Sequence, residues 1–357
     1  MIGVLALAGA LWGVATLAGA PRAARVAMVG LLLVAVLALQ VVLPEGHVLR
    51  EATGGSAARW LVLLGVLALG AGYWRFVALL KGRARSGTAE AEVAAAAAPG
   101  TFGETELRRY ARHMVLREIG GPGQKALARA RVLVVGAGGL GAPALQYLAA
   151  AGIGTIGVID DDVVEGSNLQ RQVIHGDDDI GRAKVFSAAD AMTRLNPFIT
   201  VRPYNRRLTE EIAAELIGEY DLVLDGSDNF ATRYLVNAAA AAAKVPLVGG
   251  ALSQWEGQLS VWDPARGAPC YACVFPEAPA AGLAPSCAEA GVLGPLPGVV
   301  GAMMSVEAVK LLAQAGESLR GRLMIYDALY AETRTIAVAP RPGCAVCAPL
   351  QGQADGS

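Results

Sequence analysis

An apolar, β-branched run that turns on glycines and meets an acid some twenty residues later constrains this chain more than any other feature. Val132-Leu133-Val134-Val135 leads into Gly136-Ala137-Gly138-Gly139-Leu140-Gly141. Helical sequence follows from Ala142 to Ala151, and a second apolar run, Thr155 to Ile159, ends in Asp160-Asp161-Asp162. This spacing reads as strand, glycine-rich turn, helix and parallel strand, with an acid placed for ribose hydroxyls. The glycines let backbone N–H groups approach a phosphate at a helix N-terminus, where the helix dipole favours negative charge. A nucleotide site is therefore expected at Gly136, Gly138, Gly139, Gly141 and Asp160, with Asp162 beside it. The polar turn Ser167-Asn168-Leu169-Gln170-Arg171-Gln172 comes next, and then Lys184. Arginine supplies planar bidentate contacts to phosphate and lysine a point charge. That pattern suits a triphosphate, and no Tyr-x-x-x-Lys pair of the dehydrogenase type stands out.

Around this unit, strand and helix patterns alternate. A helix is expected at Lys184–Leu195, ended by Asn196-Pro197, then a strand at Ile199–Tyr204 and a helix around 209–219. A buried strand, Asp221–Asp225, ends in Gly226-Ser227-Asp228-Asn229, and an alanine-rich helix leads to Pro246–Gly250. The alternation predicts an α/β, Rossmann-like fold with a mostly parallel sheet. Strands at Gly257–Trp262 and Leu323–Asp327, with a helix at 299–314 between them, read as a partly antiparallel extension. Upstream, Glu104–Lys125 looks helical until Gly120-Gly121-Pro122-Gly123 stops it. Trp255 and Trp262 are expected in the core, and His113 and His175 as packing or surface residues. Asp228 and Asn229 end a sheet strand at its carboxyl end, where ligands bind in open α/β sheets.

The 357 residues leave room for two domains, and a net charge of -1 excludes a bulk electrostatic nucleic-acid binder. The 54% hydrophobic content is concentrated in the first 80 residues. Residues 2–20 and 26–43 carry no charge, and 60–80 is broken only by Arg75. Each approaches the roughly 20 residues that span a bilayer as a helix. The short turn at 21–25 carries two arginines, and Arg75, Lys81, Arg83 and Arg85 follow the third stretch. The positive-inside rule then puts the N-terminus outside and everything after residue 81 in the cytoplasm. A cleaved signal peptide is discounted because there is no basic n-region. The expected organisation is a three-helix transmembrane region over 1–85 and an alanine-rich linker over 86–103. A globular domain over 104–350 and a tail over 351–357 complete it. The expected location is the inner (plasma) membrane, with the catalytic part facing the cytoplasm.

Several motifs fall together in one order: the glycine turn, Asp160-Asp-Asp-Val-Val-Glu-Gly-Ser-Asn-Leu-Gln-Arg171-Gln, Gly181-Arg-Ala-Lys184, Asp228-Asn229 and Cys287-Ala-Glu-Ala-Gly-Val-Leu-Gly-Pro-Leu-Pro-Gly. Over roughly 104–350 the chain resembles the MoeB/ThiF/HesA family, relatives of the ubiquitin-activating enzymes, and is most similar to the MoeB type. The resemblance implies an adenylyltransferase that uses ATP and Mg²⁺ to activate the C-terminal glycine of a ubiquitin-like sulfur-carrier protein. It also implies a homodimer. Gly139 then lies in the phosphate turn and Asp160 holds the ribose. Asn168, Arg171 and Lys184 surround the phosphates with Ser167 near them, Asp228 is associated with Mg²⁺, and Asn229 is its neighbour. Arg112 matches an arginine that reaches into the partner subunit's active site. Cys287 sits in a loop, Ala278–Gly291, which lies over the active site in the family, and some relatives use a cysteine there to hold the carrier covalently. The chain closes about ten residues after Cys347, so a sulfurtransferase is expected in trans.

Five cysteines include two C-x-x-C pairs, Cys270/Cys273 and Cys344/Cys347. Two such turns supply four thiolates for one tetrahedral Zn²⁺, and the family pattern has the same quartet. With no position open to water, the metal is expected to be structural. A redox pair is the alternative for these cysteines. For the chain, the other readings are the same fold adenylating a small molecule, a peptide or a tRNA-linked carboxylate, and a membrane-bound NAD(P) protein.

Overall fold

The computed structural model describes residues 2–66, 68–70, 72–76, 102–279 and 290–351. Two compact units divide the chain, Met1–Thr88 and Ala89–Ser357. Cys287 and most of its loop, the body of the linker, the basic residues Lys81, Arg83 and Arg85, and the tail beyond 351 lie outside the described residues.

The larger unit is built on one eight-stranded sheet. Its strands are β1 (Arg131–Val135), β2 (Thr155–Ile159), β3 (Thr200–Tyr204), β4 (Leu222–Asp225), β5 (Leu247–Leu252), β6 (Glu256–Trp262), β7 (Arg322–Asp327) and β8 (Glu332–Ala337). They lie in the order β3-β2-β1-β4-β5-β6-β7-β8. β1 through β5 are parallel, and β6, β7 and β8 are added antiparallel. The central strands read as continuous apolar runs because both of their faces are covered. In β1, Val132 and Val134 join one core with the helices Gly141–Ala151, Lys184–Leu195 and Pro295–Ala313. Leu133 and Val135 join a second core with Glu210–Gly218 and Phe230–Ala243. The mostly parallel Rossmann-like sheet with its antiparallel extension is as the sequence predicts.

Two local expectations are corrected, and one strand is not anticipated by the sequence. Gly120-Gly121-Pro122-Gly123 does not end the upstream helix. Glu104–Met114 ends earlier, and Gly120–Arg129 is a separate helix that starts on those residues. Proline suits a first helical turn, where its missing N–H has no intrahelical acceptor. Trp255 is 41% exposed, whereas Trp262 is buried at 3%. β8 escapes sequence reading because every residue in it is exposed. Its pairing with β7, Arg322 opposite Ala337 through Asp327 opposite Glu332, rests on backbone hydrogen bonds and leaves no apolar alternation.

In the smaller unit, helices Ile2–Leu17 and Arg22–Val42 are joined through Gly19, whose φ is +73°, and Pro21. Ile2–Leu17 has 16 residues, shorter than the stretch 2–20 suggested. The segment Val48–Phe76 is helical at Val48–Ala52 and then at 57–66, 68–70 and 72–76. Val4, Val36 and Trp60 form a small core with Leu32, Leu33, Leu37 and Leu63. Gln40 Nε2 donates to the Arg50 carbonyl at 2.9 Å and Trp60 Nε1 to the Thr53 carbonyl at 3.0 Å, tying down the intervening loop. Most apolar side chains here face outward, with Leu17 91%, Leu69 76% and Trp74 79% exposed. Arg22–Val42 and Val48–Phe76 reach mean hydropathies of 2.4 and 1.5 and are long and apolar enough to cross a membrane. Pro295–Ala313 passes the same test in the larger unit, but 44% of it is buried and its apolar residues belong to the sheet core.

Candidate active site

At the carboxyl ends of the parallel strands, the sheet opens into a cleft of about 820 Å³. Gly136 follows β1, Asp160 follows β2, Arg206 and Arg207 follow β3, and Gly226–Asn229 follow β4; all line it. Connections run outward in opposite directions from β1 and β4, and ligands bind in such a crevice at the strands' carboxyl ends. Gly136 has φ +92°, a conformation that favours glycine, and a Cβ there would sit 3.1 Å from the Gly226 carbonyl oxygen. A Cβ on Gly141 would overlap the Gly136 carbonyl. Gly141 thus permits close helix–strand packing, while Gly136, Gly138 and Gly139 line the cleft. The Asp160 carboxylate accepts from the Ala137 N–H at 2.7 Å and the Asp162 N–H at 2.8 Å. Each oxygen keeps acceptor capacity for a ribose hydroxyl.

Lys184 opens its helix and is 5% exposed, with its ammonium 2.8 Å from Asp162 Oδ2. Arg171 lines the same wall, its Nη1 donating to the Ser167 carbonyl at 3.2 Å. Asn229 caps the helix Phe230–Ala243 by accepting from the Thr232 N–H at 2.9 Å. The cap is therefore Asn229, and the exposed Asp228 faces the cleft. Ser167 and Asn168 do not line the cleft. They build the turn that carries Arg171, with Asn168 donating to Ser167 Oγ at 3.2 Å. Arg112 is exposed on Glu104–Met114 and is absent from its own chain's cleft wall.

Several cleft residues went unnoticed in the sequence. Gln172 is 4% exposed, and its Oε1 has no hydrogen-bond partner among the described residues. A buried polar atom without a partner beside a cleft is suited to a ligand. Its position in the Ser167–Gln172 turn was a usable signal. Arg206 and Arg207 stand two and three residues beyond β3, and Arg207 lies 3.6 Å from Asp161. Arg233, one turn into the helix after Asn229, donates through Nη2 to the Ser227 carbonyl at 3.0 Å. It also faces Asp225, whose carboxyl pKa is raised by burial against the opposing pull of that guanidinium.

Tyr271 joins this wall to the cysteines. Its N–H donates to Asn237 Oδ1 at 2.8 Å, and its ring lies against Trp262, Tyr234 and Phe275. On either side of it, Cys270 and Cys273 meet Cys344 and Cys347, with all four sulfurs within 4.8 Å of one another. The sulfur–sulfur distances are 3.8 Å for Cys270–Cys273, 3.7 Å for Cys270–Cys344 and 3.3 Å for Cys273–Cys347. Tetrahedral zinc with Zn–S bonds of about 2.3 Å places sulfurs about 3.8 Å apart, so the quartet fits Zn²⁺. Burial pushes the Cys270 thiol up and the Cys347 thiol up to about 11. Burial also disfavours a Cys344 thiolate, but the backbone N–H groups of Cys347 and Val346 outweigh it and bring that thiol to about 6.

The model of the ThiF family matches residues 110–346, which take in the cleft and all but the last of the four cysteines. The chain belongs to the ThiF family. This ThiF-family chain is 51% identical over 243 residues to the SAMP-activating enzyme E1 of Haloferax volcanii, covering 68% of itself and 89% of that protein. It is 47% identical over 247 residues to the molybdopterin-synthase adenylyltransferase of Escherichia coli, covering 68% and 97%. It is 53% identical over 240 residues to a probable adenylyltransferase/sulfurtransferase, MoeZ, of Mycobacterium tuberculosis, covering 66% of itself and 61% of that relative.

Proposed function

We propose that this ThiF-family chain is an ATP-dependent adenylyltransferase that activates the C-terminal glycine carboxylate of a ubiquitin-like sulfur-carrier protein. The observation that carries the reading is the convergence of the glycine turn, Asp160, Arg171, Lys184 and Asp228 on one cleft, within a region whose relatives are named adenylyltransferases. A carboxylate oxygen of the carrier attacks the α-phosphorus of ATP, the bond to the β-phosphate oxygen breaks, and pyrophosphate leaves with an acyl-adenylate remaining. The attacking group is ionised at neutral pH, so no side-chain base is needed. The barrier is charge building on phosphate oxygens, which preorganised cations lower. Arg171 and Lys184 are assigned to those oxygens, and Asp160 to the ribose. Mg²⁺ is assigned to Asp228, whose carboxylate is exposed and left out of the helix cap; the ion would neutralise phosphate charge.

Arg112, exposed and away from its own cleft, is assigned to a partner subunit's cleft in a homodimer. The adenylate is assigned to a sulfurtransferase partner, in molybdopterin, thiamine or a related biosynthesis. The test is to incubate the purified chain with ATP, Mg²⁺ and carriers ending in Gly-Gly. The expected result is carrier-dependent exchange of labelled pyrophosphate into ATP and a carrier heavier by one AMP. Exchange that is indifferent to removal of the terminal glycines, or binding of a nicotinamide nucleotide in place of ATP, overturns the reading.

The outward-facing apolar helices of Met1–Thr88 support an inner-membrane anchor with the catalytic unit in the cytoplasm. In bacterial fractions the full chain is expected in membranes after a high-salt or carbonate wash, and a chain starting at residue 101 in the supernatant. Release of the full chain by salt alone would sink the anchor.

A further inference from the structure

His175 is absent from the cleft wall and takes no part in the chemistry above, yet it is 7% exposed and hydrogen-bonded at both ring nitrogens. Nε2 lies 3.0 Å from the Ala137 carbonyl oxygen in the glycine turn. Nδ1 lies 2.8 Å from Ser187 Oγ, which lies 2.8 Å from Asp179 Oδ2. Asp179 also accepts from the Gly176 N–H and from Arg182, each at 3.3 Å. Ser187 stands one turn after Lys184 on the same helix.

A carbonyl oxygen can only accept, so Nε2 carries the hydrogen. The Ala137 N–H is meanwhile taken by Asp160 at 2.7 Å. Both polar groups of Ala137 are therefore held by side chains from outside the turn. A trans peptide points its C=O and the next residue's N–H in opposite directions. Drawing the Ala137 oxygen inward to His175 turns the Gly138 N–H the other way, and Gly138 lines the cleft.

We propose that His175 is a positioning residue for the nucleotide: through Ala137 it aims the Gly138 N–H at a phosphate oxygen, with Ser187 and Asp179 fixing the ring. The proposal rests on the adenylyltransferase reading. The charged groups facing the ring are Asp179, Lys184 and Asp160; burial, the largest influence, lowers its pKa. The Ser187 hydrogen is contested by Nδ1 and Asp179, so a proton gained at Nδ1 releases it to Asp179 and leaves the Ala137 contact in place.

The test compares two amides in the full chain in detergent. Gln places its amide nitrogen near Nε2 and Asn near Nδ1, so only His175→Gln keeps the donor to Ala137. Titration with a non-hydrolysable ATP analogue is expected to show about tenfold weaker binding for His175→Asn, the size of one lost charge-assisted hydrogen bond. His175→Gln is expected within about threefold of wild type on the same scale. The KM for the carrier should stay level. Equal binding by Asn, Gln and wild type overturns the proposal, and so does an equal loss in both variants. If neither variant folds, nitrogen NMR of the wild-type ring decides, since a tautomer protonated at Nδ1 with bare Nε2 is incompatible with it. A wild-type chain that binds no ATP removes the adenylyltransferase reading itself, whereas wild-type binding with unaffected variants removes only the role of His175.

Discussion

Lys184→Ala is expected to lower kcat/KM for carrier adenylation by about two to three orders of magnitude, the scale on which one preorganised charge stabiliser acts. Lys184 is buried to 5% exposure at the start of its helix, where the chain leaves it little room to search for other partners. Among the described residues its one ion pair is with Asp162 at 2.8 Å, and that side chain is 67% exposed. Removing the ammonium therefore leaves a carboxylate that water can still solvate, and the fold should survive. The loss should appear as rate. On the proposed reading, an incoming triphosphate would compete with Asp162 for the same ammonium. Lys184→Arg keeps the charge but replaces a compact ammonium with a planar fork, and is expected to recover only part of the rate. Labelled pyrophosphate exchange measures both variants. An unchanged rate in Lys184→Ala of wild-type melting temperature would remove lysine from the chemistry.

The same residues show which parts of this protein can be read from sequence. β1, β2 and β4 are legible because they are covered on both faces, and the glycine turn because backbone crowding admits nothing larger at Gly136 or Gly141. Lys184, Arg171 and Asp228 line the same cleft as the glycine turn, and their place there is legible because charge beside such a turn has few structural uses. What escapes is set by contacts between distant segments. Arg233 becomes a cleft residue only when its helix lies over Ser227, and Gln172 only when its oxygen is buried without a partner among the described residues. His175 reads as ordinary packing until Ala137 and Ser187 are brought to its two nitrogens. Ser167 and Asn168 show the converse: a motif marks the turn, but only geometry separates the residues that face the cleft from those that brace it.

Cys344→Ser, or removal of metal by a chelator, is expected to cost this protein most of its stability. Apparent binding free energies at structural zinc sites are about 10–16 kcal/mol near neutral pH, as large as the roughly 5–15 kcal/mol that holds a typical domain together. Even a fraction of that should lower the melting temperature by at least about 10 °C, given about 2–4 °C per kcal/mol for a domain of this size. The reason lies in how little else fixes the quartet. Cys270 and Cys344 are fully buried and come from segments 74 residues apart, and 338–351 contributes few other buried side chains. Damage should also reach the cleft. Tyr271 lies between two of the cysteines, lines the cleft wall, and meets Arg233, which in turn holds the Ser227 carbonyl beside Asp228. Elemental analysis should find one zinc per chain, and adenylation should fall with the metal. A chain that is free of metal yet melts at the wild-type temperature would contradict this account. So would a Cys273–Cys347 disulfide in the native protein, the pair whose sulfurs are 3.3 Å apart.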